Sequence, residues 1–231
     1  YIFNASHLAT IHNFKECAHC WGGEFTHKDY LSVHGEEYCN SYGAGVGSGI
    51  ESPKLEQRIK DWTLKTKNKG LFVGEYKEDT NKFFRIAERT PLAEGIKSET
   101  MDGSYSCSSL MGDFKTIGPD HGYTAVGLSG FNSFVANNEF VILFLFSPIS
   151  QGKTIVTQYW VIHKDADVDI DKMIFLWDQT SKEDSQLCEM NQKGIESQAY
   201  QPGKYGDLEI SLVHYQKFYL DHLQNYIKGL A

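Results

Sequence analysis

Two periodicities divide the chain. From about His7 to Cys20, Leu8, Ile11, Phe14 and Lys15 recur at helical spacing, and Gly22-Gly23 stops the run. Ser41 to Gly49, with a glycine at every second position from Gly43, reads as a flexible loop. Ser52 to Lys69 is charged with sparse apolar positions (Leu55, Ile59, Trp62), which predicts a short surface helix. The character then changes to β-branched and aromatic runs separated by Gly, Asn, Asp and Pro. These are Gly70–Tyr76, Phe83–Ile86, Gly122–Gly127, Phe131–Val135, Phe140–Phe146 and Lys153–Ile162. Six such runs without intervening helices predict one antiparallel sheet rather than βαβ units.

The end of the chain returns to helical spacing. Asp171–Thr180 and Ser181–Lys193 read as two helices, the second opening at the capping-box-like Ser181-Lys182-Glu183-Asp184 and closing at Gly194. After the turn Gln201-Pro202-Gly203, a last amphipathic helix is expected over Leu208–Lys228, with Leu212, Tyr215, Phe218, Tyr219, Leu223 and Ile227 on its apolar side. No repeat or linker cuts the chain. The expected architecture is α+β in one domain over residues 1–231, a large antiparallel sheet with helices packed against it from both ends of the sequence.

Composition narrows the class of partner. The 231 residues carry a formal net charge of −8 and no compensating basic patch, which argues against nucleic acid or an anionic membrane surface. The longest apolar run, Phe140–Phe146, is far short of the roughly 20 residues that span a bilayer, so a soluble chain is expected. Five cysteines (Cys17, Cys20, Cys39, Cys107, Cys188) make an odd number and favour a reducing cytoplasm over a disulfide framework. The start at Tyr1, without Met or a signal-peptide pattern, suggests a fragment or processed product.

Candidate chemistry concentrates near the start. A ferrous ion that binds dioxygen needs few protein ligands, and two imidazoles with one carboxylate leave positions open for oxygen and substrate. His19 and His27 are the local pair and Asp184 the distant acid; Glu16, three residues before His19, stands on the same helix face. Each residue also has a plain explanation. Histidines on helices are commonly structural, and an acid in a helix's first turn is accounted for by the helix dipole. Cys17, His19, Cys20 and His27 offer a structural zinc alternative. Asp165, Asp167 and Asp169 begin like a calcium loop, but Ile170 stands where the glycine is needed and Leu176 where the closing glutamate is needed. The Ser41–Gly49 loop lacks the Gly-Lys-Ser/Thr ending of a phosphate loop. Neither G-x-S-x-G nor H-E-x-x-H is present.

The segment Asn13-Phe14-Lys15-Glu16-Cys17-Ala18-His19-Cys20, followed by His27-Lys28-Asp29-Tyr30, resembles the iron-binding motif of the Rieske non-heme iron oxygenases. The likeness is to the branch acting on quaternary ammonium compounds such as glycine betaine and carnitine. Thr100–Gly112 is similar to that branch's Asp-Gly stretch ending in Leu-Met-Gly. Trp160–Asp169, Glu183-Asp184, Asn191–Gly194, Ser197, Tyr200 and Gln201–Gly203 resemble its C-terminal signature, in the family's order. The resemblance implies a helix-grip-like catalytic domain with mononuclear Fe(II) on His19, His27 and Asp184. It places Asn13 near the metal and makes Glu16 the acid that links this site to the Rieske cluster of a neighbouring subunit in a homotrimer. Electrons would come from NAD(P)H through a reductase or ferredoxin and a [2Fe-2S] cluster. Hydroxylation of an N-methyl group with O2 would give a carbinolamine that loses formaldehyde.

Two departures bear on what the resemblance implies. The family's second histidine comes five positions after the first, where this chain has Glu24; His27 fits if Trp21-Gly22-Gly23 is an insertion, and Glu24 remains the competing ligand. A Rieske cluster needs C-x-H followed by C-x-x-H, and no cysteine here has a histidine three places on, so the cluster domain is expected to be absent from the chain. That leaves two alternatives open: an aromatic-ring-hydroxylating dioxygenase alpha subunit, and a catalytically silent binding or assembly subunit. A quaternary ammonium is held by aromatic faces, for which Tyr159, Trp160, Tyr200, Tyr205 and Phe131 are candidates, each equally explained as core.

Overall fold

A computed structural model describes residues 53–80, 83–92, 95–128, 132–205 and 210–230. The expected helix over His7–Cys20 and the loop at Ser41–Gly49 lie outside these residues.

Helix α1 (Pro53–Asn68) opens on proline, whose missing N–H costs nothing in a first turn. Gly70, at φ 76°, ends it, donating its N–H to the Lys67 carbonyl at 2.9 Å while Leu71 N reaches back to Thr66 O at 3.3 Å. The turn and the non-strand path of Leu71–Val73 occupy residues the sequence assigns to the first strand, so β1 (Gly74–Thr80) starts four residues later than expected. Trp62 donates its indole N–H to Asp120 O at 2.6 Å, and Arg58 donates to Leu92 O at 2.6 Å, tying α1 to the loops at the ends of β2 and β3.

The other strands are β2 (Phe83–Pro91), β3 (Gly122–Leu128), β4 (Asn132–Ala136), β5 (Phe140–Ser150) and β6 (Lys153–Ile162). They form one six-stranded sheet in sequence order, every neighbour antiparallel. The α+β class with a large antiparallel sheet is borne out. A single-turn helix, α2 (Phe114–Ile117), interrupts the long β2–β3 connection. The β5–β6 ladder keeps its register from Phe140↔Ile162 to Pro148↔Thr154 and shifts between Pro148 and Ser150, where proline has no N–H to donate.

Strand periodicity gives the sheet two unlike faces. Phe140 and Ile142 are fully buried, whereas Leu143 and Leu145 on the same strand are exposed. The buried side receives helix α3 (Ile170–Ile195), whose Met173, Leu176, Trp177 and Thr180 fall at helical spacing and are all buried. Trp177 meets Phe144 at 5.6 Å between ring centroids, and Phe140 meets Trp160 edge-on at 5.0 Å. Burial of each large side chain contributes about 1.5–3 kcal/mol, so this contact fixes the helix to the sheet. Helix α4 (Ile210–Leu230) runs against β1 and β2.

A further expectation fails at the C-terminal helices. The two helices predicted over Asp171–Thr180 and Ser181–Lys193 are the single α3, and Ser181 caps nothing. No glycine or proline stands near residue 181, and the Ser181 hydroxyl is taken by Gln158 on β6 instead of a free backbone N–H. The true cap is Asp169, which accepts Lys172 N at 3.1 Å. At the other end Gly194 lies inside the last turn, and Glu196 closes the helix with its N–H on Gln192 O and Gly194 O.

Candidate metal centre

Asp184 is the predicted ligand that lies among the described residues, and α3 determines where it sits. The buried positions 173, 176, 177 and 180 define one stripe, and continuing by three and four residues reaches Ser181 and Asp184. Asp184 is half-buried, whereas Ser185 and Gln186 are exposed. It also stands about three turns or more from either helix end, so the dipole, which acts within the first or last turn, does not account for it. Cys188, one turn further on, has its thiol pushed up by burial and by the Asp184 charge.

The start of α3 is seated by a buried polar knot. Glu139, fully buried at the head of β5, accepts from Ser106 N and Cys107 N at 2.9 Å each, from Ser106 Oγ at 3.1 Å and from Ser98 Oγ. Ser106 O in turn accepts Asp169 N at 2.9 Å, and Ser108 N donates to Asp167 O at 2.8 Å. Lys172 in the first turn of α3 reaches Asp102 at 3.0 Å and the Ser104 hydroxyl, so Asp102 is held well below the usual carboxylate range, by the Ser104 backbone N–H first and Lys172 second. Glu99, also fully buried, accepts Asn137 Nδ2 at 3.0 Å; burial and then the nearby Glu139 push its carboxyl up to about 8. A second arm joins Arg89 to Asp120 at 2.6 Å and Asp120 to Asn138 Nδ2 at 2.8 Å. Tyr105 is pushed up to about 12 by burial and by the Glu139 and Asp120 charges.

His19, His27, Glu16, Asn13 and the competing Glu24 lie outside the described residues, as do Cys17 and Cys20 of the zinc alternative. Among the described residues no three His, Cys, Asp or Glu side chains gather closely enough to hold a metal. Of the calcium-like triplet, Asp169 caps α3 and Asp167 is bound through its backbone to Ser108. The aromatic candidates do not form one cage. Trp160 packs into the core, Tyr159 is 53% exposed on the opposite face of β6, Tyr200 and Tyr205 are exposed, and Phe131 lies outside the described residues.

Residues 9–225 match the family of ring-hydroxylating alpha subunits, catalytic domain. The chain belongs to this Rieske-type oxygenase family.

The curated relatives sharpen the branch. The glycine betaine monooxygenase oxygenase subunit of Pseudomonas aeruginosa strain UCBPP-PA14 is 30% identical over 223 residues, covering 93% of this chain and 48% of the relative. The subunit of the same name from Chromohalobacter salexigens is 36% identical over 140 residues, covering 58% of this chain and 31% of the relative. The chain therefore spans about half the length of the Pseudomonas relative. No helix among the described residues is long and apolar enough to cross a membrane.

Among the described residues, Asp184 is the one proposed donor whose chemistry can be compared with the metal. A hard carboxylate on the inner stripe of a rigid helix suits ferrous iron. Sequence reasoning missed the Glu99–Glu139 knot. Asn137-Asn138-Glu139 reads as a polar turn between two apolar strands, and turn chemistry gives no sign that its side chains point into the core.

Proposed function

We propose that the chain is the catalytic domain of an oxygenase that holds mononuclear Fe(II) on His19, His27 and Asp184. It would use O2 to hydroxylate, and so N-demethylate, a small quaternary ammonium compound. The observation that carries this reading is the family match over residues 9–225, with which Asp184, on the helix stripe that continues from Met173, Leu176, Trp177 and Thr180, is compatible.

Ferrous iron, when bound, supplies dioxygen activation at coordination positions the protein leaves open. Two neutral imidazoles and one carboxylate give the centre a net charge of about +1. α3 would contribute rigidity: Asp184 is half-buried on it, next to the exposed Ser185 and Gln186. Glu16, three residues before His19 in the sequence, would hold an imidazole N–H and link the centre to the [2Fe-2S] cluster of a neighbouring subunit. Asn13 would lie close to the metal, as the family resemblance implies. Electrons for that cluster would come from NAD(P)H through a reductase or ferredoxin. The assembly is a cytoplasmic homotrimer, in keeping with an electron route that crosses between subunits. The names of the Pseudomonas and Chromohalobacter relatives support the substrate class.

The test is to supply the full-length protein containing this chain with a reductase, NADH, O2 and glycine betaine, and to assay formaldehyde. Stoichiometric formaldehyde, lost in His19→Ala, supports the reading. Formaldehyde absent with every quaternary amine and reductase tried would favour a silent binding subunit.

A further inference from the structure

On β6, Gln158 shares the inner face of the sheet with Trp160 and Ile162 and pairs in register with Phe144. Its neighbours on that face are apolar: Trp160, Ile162 and Phe144 all pack against the core. An amide there must find a partner or bear a desolvation cost. It finds one on the helix, donating Nε2–H to the Ser181 hydroxyl at 2.6 Å, half-buried.

Ser181 precedes Asp184 by three residues, so the two side chains leave α3 on the same side, about 4.5 Å apart along the axis. We propose that Gln158 is a positioning residue for the metal centre: through Ser181 it fixes the roll of α3 at the turn that carries Asp184. The inference rests on the proposed ligand role of Asp184.

The physical case turns on what apolar packing leaves free. Met173, Leu176 and Trp177 fix α3 to the sheet, but apolar contact is non-directional and tolerates small rotations. Asp184 lies two turns beyond Trp177. A carboxylate carried about 6 Å from the helix axis moves about 2 Å for a roll of about 20°, enough to leave bonding reach of a metal. A hydrogen bond is directional and stops that roll where it matters. Two neighbouring contacts make the same turn stiffer. Ser185 Oγ donates back to Ser181 O at 2.7 Å, and Lys182 pairs with Asp178 at 2.6 Å on the solvent side.

The experiment is Fe(II) affinity of the full-length protein by anaerobic titration, read beside the unfolding midpoint of the iron-free form. Gln158→Leu and Ser181→Ala are each expected to weaken Fe(II) binding about tenfold, the range for groups that orient metal ligands. The double substitution should weaken it no further than either single one, and Ser181→Thr, which keeps the hydroxyl, should stay within about twofold of wild type. A merely structural bond would lower the midpoint and leave the affinity unchanged. Ser181→Ala, which removes one oxygen, serves if Gln158→Leu does not fold. Unchanged Fe(II) affinity in Ser181→Ala, with Asp184→Asn abolishing it, overturns this proposal alone. Unchanged affinity in Asp184→Asn overturns the ligand reading beneath it.

Discussion

The two ends of α3 are held by different physics. At its start the helix is seated on a loop whose backbone is bonded to a fully buried carboxylate, and every step of that chain, from Glu139 to Ser106 to Asp169, is a hydrogen bond of about ordinary length. At Asp184, three turns or more along, the helix is half out of the sheet: Ser181 is tied to Gln158, while Ser185, Gln186 and the residues from Cys188 onward are exposed. The first region has the features of a stability element, buried and satisfied. The second is lightly covered, with half-buried Ser181 and Asp184 beside exposed surface, as the proposed site would require. A rigid base and a lightly covered working end let one helix serve both needs.

The contrast breaks first at Glu139. Glu139→Ala strips the acceptor from two buried backbone N–H groups and two hydroxyls, and is expected to cost about 3–5 kcal/mol in urea unfolding. Met190→Gln, at a 58%-exposed position on the far half of the same helix, should change stability by less than about 0.5 kcal/mol. Comparable losses at the two positions would erase the distinction between the ends.

A smaller effect sharpens it. Glu99 keeps its proton up to about 8 in the folded protein, against an ordinary value of 4.5. The folded state thus binds a proton the unfolded chain releases, so the Glu99 contribution is complete below about pH 4.5 and fades as pH rises toward 8. Stability should fall by about 1 kcal/mol per pH unit across that window. Glu99→Gln, which keeps the shape and the Asn137 contact without a titrating proton, should flatten the slope; an unchanged slope in thermal melts at pH 5, 6, 7 and 8 would show that the burial of Glu99 is not what sets it.

Much of this was legible in the amino-acid sequence, and the failures have definite causes. All six strands are readable because alternation and β-branched content mark a half-buried sheet without any tertiary knowledge. Gly70 misled at the first strand: the same residue reads as a strand start and as a helix terminator, and its left-handed backbone decides for the latter. Ser181-Lys182-Glu183-Asp184 misled for a related reason. A serine three residues before an acid is a capping signature in a free helix end, but here a glutamine 23 residues earlier in the chain occupies the hydroxyl. Asp184 accordingly stands mid-helix rather than in a first turn, beyond the reach of the helix dipole. The polar knot was invisible because only the fold brings Ser98, Ser106 and Glu139 together. The family could be read because three motifs stand in register along most of the chain, a pattern that composition or periodicity alone does not carry.

The measurement that bears most directly on the metal centre is anomalous X-ray scattering at the iron edge from crystals of the full-length protein grown with Fe(II) under anaerobic conditions. The account predicts one iron peak bonded at once to the His19 and His27 imidazoles and the Asp184 carboxylate. A peak bonded to Glu24 in place of His27 would correct one ligand. An iron held elsewhere, with Asp184 turned away from it, would contradict the account.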